Sequence, residues 1–142
     1  EYYNVKEPEN KWNYFWDSMG ALEIEELVGL YMQIKLGYGV YTSTNKKDTK
    51  EYEYILFKRD NPTEKAKMQV KTSNINLNEY NIGDMPFYFF TTGDYWKDGK
   101  MLNQDEVKKF EQENKIVIIH KEELLEFAKE NQDVLPYRIN WF

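Results

Sequence analysis

Residues 50–71, KEYEYILFKRDNPTEKAKMQVK, restrict the fold more than any other stretch of this chain. Aromatic and β-branched residues fill the first arm, Glu51 to Phe57. The second arm, Lys65 to Lys71, alternates Ala66, Met68 and Val70 with Lys65, Lys67, Gln69 and Lys71. A period of two is the mark of a strand with one buried face. Between the arms, Lys58 to Glu64 contains Asp60-Asn61-Pro62, where short polar side chains and the fixed proline φ favour a turn. The stretch therefore reads as a β-hairpin that carries Glu53, Gln69 and Lys71 on one surface.

The elements around it follow from similar patterns. From Leu22 to Leu36, Ile24, Leu27, Val28, Tyr31 and Ile34 recur at steps of three and four, predicting an amphipathic helix closed by Gly37. Glu23, Glu25 and Glu26 sit in its first turns, where negative charge suits the helix dipole. Gly39 to Thr44 alternates as a first strand. Thr72 to Asp84 is polar, and Met85 to Thr92 contains the aromatic run PFYFFTT of a strand buried on both faces. Asn103 followed by Glu106 forms a capping box for a helix to about Asn114. Ile116 to Ile119 is a short strand, and Lys121 to Asn131 is a last helix with Leu124, Leu125, Phe127 and Ala128 inward. The order predicts an α/β (α+β mixed) fold, with a mixed central sheet of four to five strands flanked by helices. Residues 1–21, with Trp12, Phe15 and Trp16, read as an arm or the stub of a preceding region, and 22–142 as one domain.

With 142 residues and no cysteine, the chain can bury a core without disulfides, and thiol catalysis is excluded. His120 is the sole histidine, at a predicted strand end, so histidine-based catalysis is disfavoured. No Gly-rich phosphate loop or Ser/His/Asp set is visible. Apolar runs fall far short of the roughly 20 residues that span a bilayer. No signal peptide pattern precedes them, so a cytoplasmic chain without membrane association is expected. It starts at Glu1 rather than methionine, as expected of a processed protein or a piece of a longer one with further domains.

A net charge of −6 argues against phosphate binding by the chain as a whole. Residues 46–71 are the local exception, with eight bases against five acids. Lys46, Lys47, Lys50, Lys58, Arg59 and Lys67 therefore stand as candidate nucleic-acid contacts, with a local field able to guide a polyanion. The competing reading is a solvated edge hairpin, for which lysines are common. Tyr52, Tyr54, Tyr95 and Trp96 can stack on an unpaired base or simply fill a core.

An amphipathic helix ending in Leu36-Gly37-Tyr38, a strand acid at Glu53, and the partner-strand run Gln69-Val70-Lys71 together resemble the core of the PD-(D/E)xK nuclease superfamily, with a QxK form of the motif. The likeness continues through PFYFFTTGDY and IVIIHKEELLEF and covers about residues 22 to 130. It implies a restriction-endonuclease-like fold and a metal-dependent phosphodiesterase, a DNA endonuclease of restriction, repair or mobile-element type. The ion implied is Mg2+ (or Mn2+), a hard cation that takes carboxylate, carbonyl and water oxygens. Its ligands would be Glu53, the Gln69 side-chain oxygen, the Val70 backbone carbonyl, and Glu26 or Glu23 from the helix. Lys71 would orient the attacking water or stabilise phosphate charge. Many relatives cut as homodimers, and DNA is the implied partner.

Departures from the superfamily pattern leave alternatives open. The strand acid is more often aspartate, and Asp48 and Glu51 compete with Glu53 for the role. Gln69 removes one charge where the superfamily more often has an acid. A catalytically inactive nuclease-fold domain binding nucleic acid or a protein partner is the alternative, and each acid and lysine also has an ordinary reading as a solvated side chain.

Overall fold

A computed structural model describes residues 12, 14–45 and 52–135, with the backbone alone for 40–45, 52 and 53. Helix α1 spans Ala21–Leu30 and continues as a π-helical segment, Tyr31–Lys35. Gly37 follows with φ of 76°, the left-handed conformation that lets the chain leave the helix without a Cβ penalty. Strands β1 (Tyr38–Asn45), β2 (Tyr52–Lys58) and β3 (Asn61–Lys71) come next. The short strand β4 (Ile75–Asn76) and a 3-10 turn (Leu77–Glu79) lead to β5 (Phe87–Thr91). Strands β6 (Tyr95–Lys97) and β7 (Lys100–Met101) form a small hairpin. Helix α2 (Gln104–Glu113), strand β8 (Ile116–Ile118) and helix α3 (Lys121–Glu130) complete the order.

The main sheet is five-stranded and mixed, in the order β1-β2-β3-β5-β8. The first three strands are antiparallel neighbours, and β3, β5 and β8 run parallel. Alternation along the strands sends side chains to two faces, and each face has its own core. On one, Ile24, Leu27 and Val28 of α1 and Leu124, Phe127 and Ala128 of α3 close over Leu56, Ala66, Met68, Val70 and Phe90. On the other, Phe87, Phe89, Ile116 and Ile118 pack with Ile75, Leu77 and Tyr80, while Val107 and Phe110 of α2 lie against them. The sheet is thus sandwiched, as the element order predicts.

Three local readings change. The hairpin turn is tighter than Lys58–Glu64: Lys58 pairs with Asn61 around Arg59 and Asp60, and the next pair is Phe57 with Lys65. Residues 62–64 are therefore a bulge in β3, where Pro62 costs no ladder hydrogen bond. The polar segment Thr72 to Asp84 holds a strand, a 3-10 turn and three buried residues, Ile75, Leu77 and Tyr80. A second sheet, β4-β6-β7, was not foreseen. Within the predicted arm, Trp12 and Phe15 belong to the first core and Trp16 stacks on Phe90 at 5.6 Å between centroids.

Candidate functional site

Gln69, Val70 and Lys71 close β3, opposite Phe89, Phe90 and Thr91 of parallel β5. Val70 points with Met68 into the α1 core, so Gln69 and Lys71 turn to the α2 face. Gln69 is 3% exposed and Lys71 is half-buried. Glu53 lies in β2 opposite Thr44 of β1, one residue before Tyr54, which pairs with Met68. Glu53 and Gln69 are thus the next positions along the two strands. Lys46, Lys47, Asp48, Lys50 and Glu51 fall outside the described residues.

Beyond Lys71 the ends of β3 and β5 are tied together. The Thr92 amide donates to the Lys71 carbonyl at 3.2 Å and Ile75 N–H to Asp94 O at 2.9 Å. The Thr91 hydroxyl donates to Ser73 O and accepts from the Gly93 amide at 2.9 Å. Asp94 N–H donates to Asn74 Oδ1 at 2.9 Å. A Cβ on Gly93 would meet Asn74 Oδ1 at 2.7 Å and backbone of Asn74 and Ser73 at 2.9 Å, so the two segments fit only without one.

Next to Thr91 a cavity of about 420 Å3 opens at the carboxyl ends of β5 and β8, between the first turns of α2 and α3. The crevice beyond the carboxyl ends of parallel strands is where α/β sheets commonly bind ligands. Tyr95 and Glu111 line it. The Tyr95 hydroxyl oxygen is buried with no hydrogen-bond partner among the described residues. Burial, and after it the nearby Glu111 carboxylate, pushes the phenol well above its ordinary pKa. Glu111 Oε2 accepts the outward N–H of Ile118 at 2.8 Å, fastening α2 to the edge strand β8. His120 also lines the cavity as the N-cap residue of α3, and gives its backbone N–H to Glu123 Oε1 at 2.9 Å.

The helix carboxylates lie elsewhere. Glu23 Oε1 accepts the Gly20 amide at 2.7 Å, which makes it the N3 member of a cap on its own helix. Glu26 lines a hollow of about 360 Å3 with Glu25, Tyr54 and Met68, on the sheet face away from Gln69 and Lys71. The Tyr54 hydroxyl donates to Glu25 Oε1 at 2.5 Å, a contact between helix and strand that sequence reasoning did not assign. Its signal is present: Tyr54 shares the strand face of Leu56, so it must meet the helix. Among the described residues no three Asp, Glu or His side chains converge.

Of the candidate nucleic-acid contacts, the three that are described with side chains, Lys58, Arg59 and Lys67, each make contacts within the fold. Lys58 Nζ donates to Leu36 O at 2.9 Å and Arg59 donates to Gln33 O at 2.8 Å, satisfying carbonyls left open at the helix end. Lys58 also lies over the Tyr38 ring, 4.5 Å from its centroid. Lys67 reaches Asn81 O at 3.4 Å and stands over Phe87. Comparison with protein-family models, curated proteins and solved structures gives no match.

Proposed function

We propose that this chain is a metal-dependent phosphodiesterase domain acting on DNA, working from the adjoining ends of β2 and β3. The observation that supports it is the position of Gln69-Val70-Lys71. The run ends β3 where that strand, paired antiparallel to β2, becomes the parallel neighbour of β5, behind a helix and ahead of a parallel strand. That is the placement implied by the likeness to the PD-(D/E)xK superfamily. The restriction-endonuclease-like core belongs to the same proposal.

The donor set suits Mg2+ or Mn2+ in kind: one strand carboxylate at Glu53, one amide at Gln69, and the Val70 carbonyl, the remaining positions being left to water. When bound, such an ion supplies charge neutralisation and a water of lowered pKa. Gln69, held at 3% exposure, presents a neutral oxygen. Lys71 places its ammonium two residues on along the same strand face, to hold the phosphate and align the attacking water. Glu23 is committed to its cap and Glu26 borders the opposite face, so the proposed set is Glu53, Gln69, Val70 and Lys71.

Incubation with supercoiled and with single-stranded DNA plus Mg2+ or Mn2+, beside a Lys71→Ala control, tests the proposal. Cleavage by the parent alone is expected. Failure to cut either substrate, or equal cutting by the control, ends it. A second reading, an inactive domain of the same fold that binds nucleic acid or a protein, is favoured by the neutral, buried Gln69 and the separation of the α1 carboxylates. In that case calorimetry detects no divalent-ion binding, and affinity for DNA survives Glu53→Ala.

A further inference from the structure

A strand end is held by few bonds, because the next residues leave the ladder. Here β3 leaves its sheet after Lys71, and Thr91, its neighbour on β5, is 7% exposed with a hydroxyl used twice. That hydroxyl donates to Ser73 O, two residues beyond Lys71, and accepts the Gly93 amide. Thr92 N–H holds the Lys71 carbonyl itself, and Asp94 N–H holds Asn74. Three β5-side residues, Thr91, Thr92 and Asp94, therefore bond three of the four residues that begin at Lys71. Ser73 and Gly93 are exposed, so water can replace the bonds to the hydroxyl at little cost in stability. What water cannot replace is the fixed path of the chain.

We infer that Thr91 is a positioning residue for Lys71, its buried hydroxyl setting the course of β3 where the amine is carried. The functional half of the inference rests on the phosphodiesterase reading. Displacement of a reacting group by about 1 Å is enough to cost roughly 100-fold in rate.

The test compares the full chain with Thr91→Val, which keeps the shape and loses the hydroxyl, and Thr91→Ser, which keeps the hydroxyl. Two readouts are taken: DNA cleavage with Mg2+, and the Lys71 Cε resonance assigned with Lys71→Arg. Thr91→Val is expected to lower kcat by about 10- to 100-fold with KM within about twofold, and to shift the Lys71 resonance. Thr91→Ser restores both. Cleavage by Thr91→Val at the parent's rate, or an unmoved Lys71 resonance, overturns the inference. If the parent cuts no DNA, the phosphodiesterase reading alone falls, and the resonance still decides whether Thr91 positions Lys71. If Thr91→Val does not fold, Asn74→Ala, which removes the acceptor of Asp94 N–H at an exposed site, takes its place in both measurements.

Discussion

The two faces of the five-stranded sheet are built from the same kind of residue and treat polar groups in opposite ways. On the face covered by α1 and α3, polar atoms stay at the rim and find partners. Tyr54 donates to Glu25, Tyr38 and Tyr88 meet at 3.3 Å, and Lys58 and Arg59 satisfy helix carbonyls. On the face covered by α2 and the small sheet, polar groups are carried inside. Gln69 and Thr91 are buried outright, and the Tyr95 hydroxyl is enclosed beside an open cavity. Burying polar groups costs free energy unless each is bonded, and proteins tend to accept such costs where they act. Both faces bury a core; the second, which also carries polar groups inside, is where a function is worth seeking.

If both faces are real cores, an aromatic truncation should cost alike on each. Phe90→Ala removes the ring under Trp16, and Phe89→Ala removes the ring stacked on Phe87 at 4.3 Å. Both side chains are fully buried, and each loss should be about 3–5 kcal/mol by urea unfolding. A cost below about 2 kcal/mol for Phe89→Ala would show the α2 face to be loosely packed, and would break the comparison.

Two glycines should answer with opposite signs. Gly93→Ala drives a methyl into the backbone of Ser73 and Asn74 at 2.9 Å, and should destabilise by about 1–3 kcal/mol. Gly29→Ala, inside α1 with nothing within 4 Å of the new carbon, should stabilise by roughly 0.5–1 kcal/mol. Thermal melts of the two variants check this. A tolerated Gly93→Ala would remove the tight tie between β3 and β5 on which the position of Lys71 depends.

Much of this difference is legible in the sequence, but only along the strands. The period of two in Lys65–Lys71 correctly separates Met68 and Val70 from Gln69 and Lys71, and the Asn103/Glu106 box marks the start of α2, with bonds of 2.8 and 3.0 Å. Gly37 stops the helix where expected. Period cannot say which face a helix covers, because that depends on the hand of the connection. Hence the sequence pattern groups Glu26 with Gln69, whereas the sheet stands between them. Strands of two residues carry no period at all, so Ile75 and Leu77 are hidden in a polar segment, although both are buried. Pro62 and Asn61 signal a turn by propensity, yet pairing with Lys58 draws Asn61 into the strand. Propensity yields to the ladder there.

Removing one hydroxyl from each face sharpens the contrast at a smaller scale. Tyr54→Phe deletes the donor to Glu25 and should cost about 1 kcal/mol. Tyr95→Phe deletes an enclosed hydroxyl with no described partner, and should be neutral or stabilising by up to about 1 kcal/mol. Because the folded Tyr95 phenol titrates above its ordinary value of 10.0, its neutral form contributes stability that is complete below that pH and falls as pH rises past it. Tyr95→Phe should therefore lose less stability than the parent above about pH 10. Parallel alkaline profiles would mean that the cavity wall is open to water at Tyr95.

The smallest effect concerns how the layer over the second face is held in place. Glu106 closes the cap of α2 and also reaches Lys100 of β7 at 2.8 Å, so one exposed carboxylate joins the helix to the small sheet. Glu23 closes the corresponding cap of α1, on its own helix. The Lys100 ammonium, and then the Asn103 backbone N–H, hold the Glu106 carboxyl below its ordinary value of 4.5. A depressed folded pKa means that this stabilisation is present above the unfolded value and disappears as pH falls through the folded one. Glu106→Gln should thus melt slightly below the parent at pH 7, and the gap should close as pH falls through the depressed folded pKa of the carboxyl. High salt should narrow the gap at pH 7, because an exposed pair is screened within about 3 Å at 1 M. A gap that persists once the carboxyl is protonated would show that the carboxylate charge is not what matters, and that the amide fails instead as a cap acceptor.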